Sequence, residues 1–471
     1  MPMKTLLESY RCPAECLQNF ETGKGIAKEP GYFRQGTEAV FFGRYRPSVE
    51  TSKDRAQEIG HAHEPVVEGN RVVLSFDPDE VIDNLRLERY PSARFGWKER
   101  FLKAIYYELR LFLSERMRVS IQKLRAAGWE HRRFPRWPVD TAVEDLCEDL
   151  LGCALRTSGV QSIPFVWFWP AGASGCVLMT HDIETTRGVA FCGELMKTDL
   201  EFGMPASFQI VPEERYRVEP EFLDGLRKNG FEVCVQDLNH DGRLFDDRNE
   251  FLRRIARINE YGRSFQTRGY RTGALYRKPE WYGDFDFSFD MTIPNVAPLD
   301  PQRGGCCTVR PYFIGKILEI PLTTVQDYTL FNILQQPTID LWKQQVETIL
   351  SRNGLASFIV HPDYIRRPER LAVYRQLLEY LRAIGEQRNL WFARPSEIDA
   401  WWRARSLMEV VRKGDGWKIE GEGAERAVLA FASLVEGKVV YRLAAGSAQG
   451  DFFPQEFSRQ LFMHDPNEVR E

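Results

Sequence analysis

Between about Trp169 and Trp402, short apolar runs alternate with helical segments, and the runs end in polar or ionisable residues. CVLMT (Cys176–Thr180) precedes a helical stretch from Val189 to Phe202, and ASFQIV (Ala206–Val211) precedes one from Glu219 to Lys228. FEVCV (Phe231–Val235) follows, and late in the region SFIVH, with Ile359 and Val360 at its centre, precedes a helix over Pro368–Ile384. A strand joined to the next through a helix pairs with it in parallel, so this pitch predicts an α/β fold, either a barrel or a doubly wound sheet. In both architectures functional groups collect just beyond the C-terminal ends of the strands, which narrows the search to a few short segments.

Thr180-His181-Asp182-Ile183-Glu184 closes the first run. Side chains two apart on extended chain point the same way, so Asp182 and Glu184 can share one cavity. Such a pair can divide labour, one binding a metal and the other taking a proton. A helix N-cap is the plainer use of an acid at a strand end. After FEVCV come Gln236 and His240, four apart, which share a face if the turn is helical. Arg268–Gly273 is a basic, turn-rich segment, and Phe285–Asp290 alternates apolar and polar residues as a strand would. Asp286, Ser288 and Asp290 would then share a face. His361, at the end of SFIV, is placed for acid–base work.

In order and spacing these segments together resemble the polysaccharide deacetylase superfamily, carbohydrate esterase family 4 and its nodulation-type relatives. The resemblance covers roughly half the chain and implies a distorted (β/α)7 barrel. It implies a metal-dependent hydrolase that removes N-acetyl groups from a saccharide or polysaccharide precursor. In that reading Asp182 is the general base, Arg271 orients it, and His361 is the general acid with Asp290 or Asp286 as its partner. A divalent metal, with zinc the first expectation, would be held by Glu184, His240 and the residue at position 236. Such an ion lowers the pKa of bound water from about 16 toward roughly 7 and polarises the amide carbonyl.

Position 236 departs from the family pattern, with glutamine where the first metal-binding histidine stands. A neutral amide oxygen is a weaker donor to zinc than imidazole and suits harder cations. Losing even an outer-shell partner typically costs about 10–100-fold in affinity or activity, so losing a direct ligand costs at least that. A second reading therefore stands beside the first: a catalytically weak or inactive deacetylase-like protein that binds glycan. A hydrolase of another C–N bond on the same barrel is a third. The Arg turn carries Thr272 where the family commonly has proline, a milder departure.

At 471 residues the chain exceeds one ordinary domain. Residues 1–165 read as an N-terminal mixed α/β region, residues 166–405 as the barrel, and residues 406–471 as a small C-terminal β-rich appendage. In the first region, RVVLSF (Arg71–Phe76) is β-prone, Asp77–Glu80 resembles an acidic helix start, and Trp97–Ala127 has the apolar spacing of a long amphipathic helix. The tail from Phe457 to Glu471 is charged and expected to be mobile.

With 63 Lys and Arg against 67 Asp and Glu, the formal charge of −4 gives no reason to expect nucleic acid as a partner. The densest basic stretch, Arg125, Arg132, Arg133 and Arg136 interleaved with Trp129 and Trp137, reads as a solvated helix end. Neither a secretory leader nor a membrane span is visible, so a cytoplasmic protein with a carbohydrate substrate or ligand is expected. The nine cysteines lack zinc-site spacing and fit reduced, mostly buried thiols.

Overall fold

The computed structural model of the chain describes residues 3–17, 20–48, 59–69, 71–91, 115–126 and 128–444. Its centre is an open, strongly curled sheet built by the alternation seen in the sequence. The strands are β1 (Gly175–Ile183), β2 (Ala206–Ile210), β3 (Glu232–Gln236), β4 (Gly269–Arg271), β5 (Phe289–Asp290), β6 (Tyr312–Ile314), β7 (Ile317–Glu319), β8 (Leu355–Ile359) and β9 (Leu390–Phe392). Their order is β6-β7-β5-β4-β3-β2-β1-β8, with β9 also beside β1. The run from β7 to β8 is seven parallel strands, and only β6 is antiparallel, to β7. The distorted barrel with extensions is therefore met.

Every residue of β1 is buried, as a strand covered on both faces must be. The helices around the sheet are α1 (Thr186–Glu201), α2 (Pro220–Lys228), α3 (Arg248–Ser264), α4 (Asp340–Leu350), α5 (Pro368–Arg388) and α6 (Pro395–Leu407). Their starts follow capping chemistry. Thr185 Oγ1 accepts from the N–H groups of Arg187 and Gly188 at 3.1 and 3.2 Å. Asp247 Oδ1 accepts from Asn249 and Glu250 at 2.8 and 3.1 Å, and prolines open α2, α5 and α6.

The N-terminal region holds small sheets and the helices Pro78–Arg86 and Ala142–Thr157. Asp77 caps the first of these, as its acidic start predicts. Of the long helix expected over Trp97–Ala127, Glu115–Ala126 is helical; the rest, and the charged tail, lie outside the described residues. The C-terminal strand Leu429–Val435 pairs on one edge with Lys438–Leu443 and on the other with Ser162–Val166, so the β-rich appendage continues a strand that precedes the barrel. No helix among the described residues is long and apolar enough to cross a membrane.

One buried ion pair fastens the N-terminal region to the barrel. Arg277, in the loop after β4, donates Nε and Nη2 to the two carboxylate oxygens of Glu88, each at 2.5 Å. Glu88 also accepts the Gly305 N–H at 2.6 Å, and Asn295 bonds in both directions with the backbone of Asp140 at 2.8 and 2.7 Å. Removing one member of such a pair leaves the other charge buried and unpaired. Glu88→Ala is therefore expected to cost about 3–5 kcal/mol in urea denaturation, and a Glu88→Leu/Arg277→Met double variant clearly less. A loss below about 1 kcal/mol in the single variant would contradict the pair's role.

Candidate functional site

Asp182, near the end of β1, is 3% exposed, and both of its carboxylate oxygens are engaged. Arg271 Nη1, from the end of β4, donates to Oδ1 at 2.6 Å, and Gln236 Nε2, from the end of β3, donates to Oδ2 at 2.9 Å. The fully buried Arg271 also reaches Thr180 Oγ1 at 2.8 Å and the carbonyl of Met291 at 2.9 Å, binding three strand ends to one guanidinium. Arg271 thus holds Asp182 in place. His181 faces outward, its ring nitrogens on Val360 O at 3.0 Å and Asp199 Oδ2 at 2.9 Å, and takes no part in the site.

Glu184 and His240 complete the wall. His240 Nε2 lies 2.8 Å from Glu184 Oε1, an ion-pair distance, but neither ring nitrogen makes a hydrogen bond within the protein. The segment carrying His240 is not a helical turn. Asp237 and His240 both sit in the left-handed region, with φ of 52° and 54°, which folds the loop back over the β3 end. Gly273 lets the Arg turn approach this loop, because a Cβ there would stand 2.5 Å from Asp237 Oδ2 and 3.1 Å from His240 Cδ2. Thr272 also has a reason to be there. Its N–H donates to Thr292 Oγ1 at 3.0 Å, a bond that proline could not make.

His361 approaches from β8. Its Nε2 is 3.7 Å from Glu184 Oε1, and its Nδ1 is 2.6 Å from Asp327 Oδ1. Asp327 Oδ2 also accepts the His361 backbone N–H at 2.8 Å. The expected partner of His361 is thus corrected: it is Asp327, not Asp290 or Asp286. Asp286 is exposed and paired with Arg263 at 3.2 Å, because the strand is only Phe289–Asp290 and the alternation before it is loop. Asp290 accepts the Thr292 hydroxyl at 2.7 Å and lies in a buried carboxyl pair with Glu319. Asp327 opens a short helical turn, where no strand-end pattern marks it. Beyond it, the rings of Tyr328 and Tyr364 lie 5.0 Å apart, and Tyr364 is 4.9 Å from the His361 ring.

The electrostatics follow from these contacts. Burial alone would raise the Glu184 carboxyl, but the imidazoles of His240 and His361 outweigh it and hold it well below the usual range. Burial would lower His361, yet Asp327 and Glu184 raise it well above an ordinary histidine. The site therefore sets a fixed anion and an imidazolium among buried polar atoms.

The donor set does not fit the expected metal. Catalytic zinc takes three protein ligands with open coordination. Among the described residues no group of three or more His, Cys, Asp or Glu side chains is arranged to hold an ion. Of the expected ligand set, Glu184 and His240 come together. An ionised carboxylate accepts only, so the amide nitrogen of Gln236 must face Asp182, and the ligand position is spent on a hydrogen bond.

No family model matches the chain, and no curated protein matches it. Among solved structures it is similar to a Mycobacterium smegmatis protein assigned to the polysaccharide deacetylases, at 19% identity and a TM-score of 0.41, over 53% of this chain and 96% of that one. It is similar to Puue allantoinase at 14% identity and a TM-score of 0.40, over 50% and 92%. It is also similar to the peptidoglycan deacetylase PdaC of Bacillus subtilis at 13% identity and a TM-score of 0.33, over 50% and 95%. The similarity to carbohydrate esterase family 4 proteins is thus structural, distant and confined to about half the chain.

The Asp290–Glu319 pair gives a pH test. Burial first, then the Asp290 charge, raises Glu319 well above its usual value, and burial raises Asp290. Glu319 Oε1 accepts the Ile293 N–H at 2.8 Å, which leaves Oε2 to carry the proton toward Asp290. A carboxyl raised in the folded state stabilises fully below its unfolded value, about 4.3, and that contribution is lost as pH rises through the folded value. Glu319→Gln keeps both bonds without the proton. It should match the wild type near pH 5 and equal or exceed it at pH 8 in urea unfolding, whereas Glu319→Ala should cost about 1–3 kcal/mol at pH 5. An equal loss in the Gln variant at both pH values would contradict the shared proton.

Proposed function

We propose that the protein is a carbohydrate-binding, deacetylase-like barrel whose hydrolytic activity toward N-acetyl groups is weak or lost. One observation carries this reading. The Gln236 amide donates to Asp182 where a metal ligand would stand, so the carboxylate named as base is clamped on both oxygens by Gln236 and Arg271. Around that clamp, Gln236 Oε1, His240 Nδ1 and Arg271 Nη2 are buried without a hydrogen-bond partner in the protein, while His240 Nε2 faces Glu184. Buried donors and acceptors of both kinds suit a ligand rich in hydroxyl and amide groups, which would satisfy them together. The half-buried Tyr328 and Tyr364 rings beside His361 add apolar faces on which a sugar ring could stack.

In this reading Asp182, His240 and His361 hold sugar hydroxyl and amide groups, and Asp327 fixes the ring of His361. Residual hydrolysis would rest on the same groups: Asp182 orients a water, and His361 gives a proton to the leaving nitrogen. The competing reading, a working metal-dependent deacetylase, requires an ion that the present donor set does not complete.

Calorimetry with oligomers of N-acetylglucosamine should show saturable binding that His240→Ala weakens by roughly tenfold, the worth of one hydrogen bond to a charged or buried group. Deacetylation by the wild type should be at the limit of detection. Gln236→His should release Asp182 Oδ2, gain about one zinc per chain, and raise the rate at least about tenfold. Brisk turnover by the wild type, with no gain in the histidine variant, would overturn the proposal.

A further inference from the structure

A second cavity, of about 220 Å3, lies away from Asp182, between the N-terminal helices, the segment leading into β6 and the end of α6. Four arginines line it, Arg11, Arg86, Arg310 and Arg405, against two glutamates, Glu8 and Glu144. Glu8 and Phe313 are exposed at its rim, whereas Glu144, Arg310 and Arg405 are buried in its wall.

The arginines there outnumber the acids, four to two; Glu144 partly offsets Arg310 and Arg86, and Arg11 donates to the Met408 carbonyl at 3.2 and 2.9 Å. Arg405 is 1% exposed and donates to the carbonyls of Trp167, Ser9 and Val166, with no carboxylate partner among the described residues. Arg310 lies 3.5 Å over the Phe168 ring and donates Nη2 to the Arg352 carbonyl at 2.6 Å, while its buried Nε has no acceptor. Arg86 stacks 5.3 Å over Tyr312, and its buried Nε is likewise without one. Glu144 accepts the Thr308 hydroxyl and, at 3.2 Å, the Val309 N–H with Oε1, while its buried Oε2 has no hydrogen-bond partner. Burial, with Arg310 and Arg11 beside it, pushes Arg405 down to about 9.

We infer that this cavity binds the phosphate group of a small phosphorylated metabolite. Unpaired guanidinium groups in a dry wall are costly, and a multiply charged oxyanion answers several of them at once. Guanidinium forks match phosphate geometry bidentately, and forks approaching from separate segments suit a tetrahedral anion better than a planar carboxylate. The volume falls below the roughly 300 Å3 at which pockets take drug-sized ligands, which excludes a dinucleotide and leaves a phosphate with a small substituent.

The test is titration calorimetry and thermal unfolding of the full chain with inorganic phosphate and pyrophosphate, against chloride at matched ionic strength. The wild type should bind at least one of these anions saturably at one site, with a raised Tm. Arg310→Gln and Arg86→Gln should each weaken that binding about tenfold or more. Arg86 makes no side-chain hydrogen bond among the described residues, so its variant should fold and decides the matter if Arg310→Gln does not. Absence of saturable binding of both anions to the wild type, or unchanged affinity in folded Arg86→Gln, would overturn the inference.

Discussion

Arg271 is the interaction around which the barrel end is organised. Its guanidinium, wholly buried, bonds Thr180 and Asp182 on β1 and the Met291 carbonyl just past β5, while its own strand pairs with β3 and β5. Removing either partner would leave the other's charge buried and unpaired, so Arg271 and Asp182 depend on each other. The neighbouring positions inherit that constraint. Thr272 must supply an N–H to Thr292, Gly273 must lack a Cβ, and the loop over His240 must turn through two left-handed residues to close over the same point.

Within this frame a single side chain changes what the site can do. A histidine at 236 would bring a lone pair toward an ion; glutamine brings an N–H toward Asp182. The anion then sits between two donors, and Glu184 is left facing His240 and His361. Asp327 grips both the ring and the backbone of His361, and the tyrosine pair stands beside it, so the orientation of that imidazole is fixed. Pre-organised side chains lower the ordering cost of binding, which the proposed carbohydrate-binding role would use.

The barrel was legible because strand–helix alternation is a local pattern, and the strand ends named most of the site: Asp182, Glu184, Gln236, His240, Arg271 and His361 all come from segments that close a strand. Asp327 was not legible. It reaches His361 across 34 residues from a helical turn too short to show periodicity, and only the curl of the sheet brings the two together. Asp290 misled for the opposite reason, since an alternating run implied a strand that the chain forms only at Phe289–Asp290. There the carboxyl is drawn to Thr292 and Glu319. The arginine cavity left no trace in the sequence either, because Arg11, Arg86, Arg310 and Arg405 lie in four segments that meet only where the N-terminal region docks.

The central claim is that Gln236 serves Asp182 and not a metal. Diffraction from crystals grown with zinc, collected on both sides of the zinc absorption edge, tests it most directly. The account predicts no anomalous peak between Glu184 and His240, with the Gln236 amide still within hydrogen-bond distance of Asp182. A full-occupancy peak there, coordinated by Glu184, His240 and a rotated Gln236 Oε1, would contradict it.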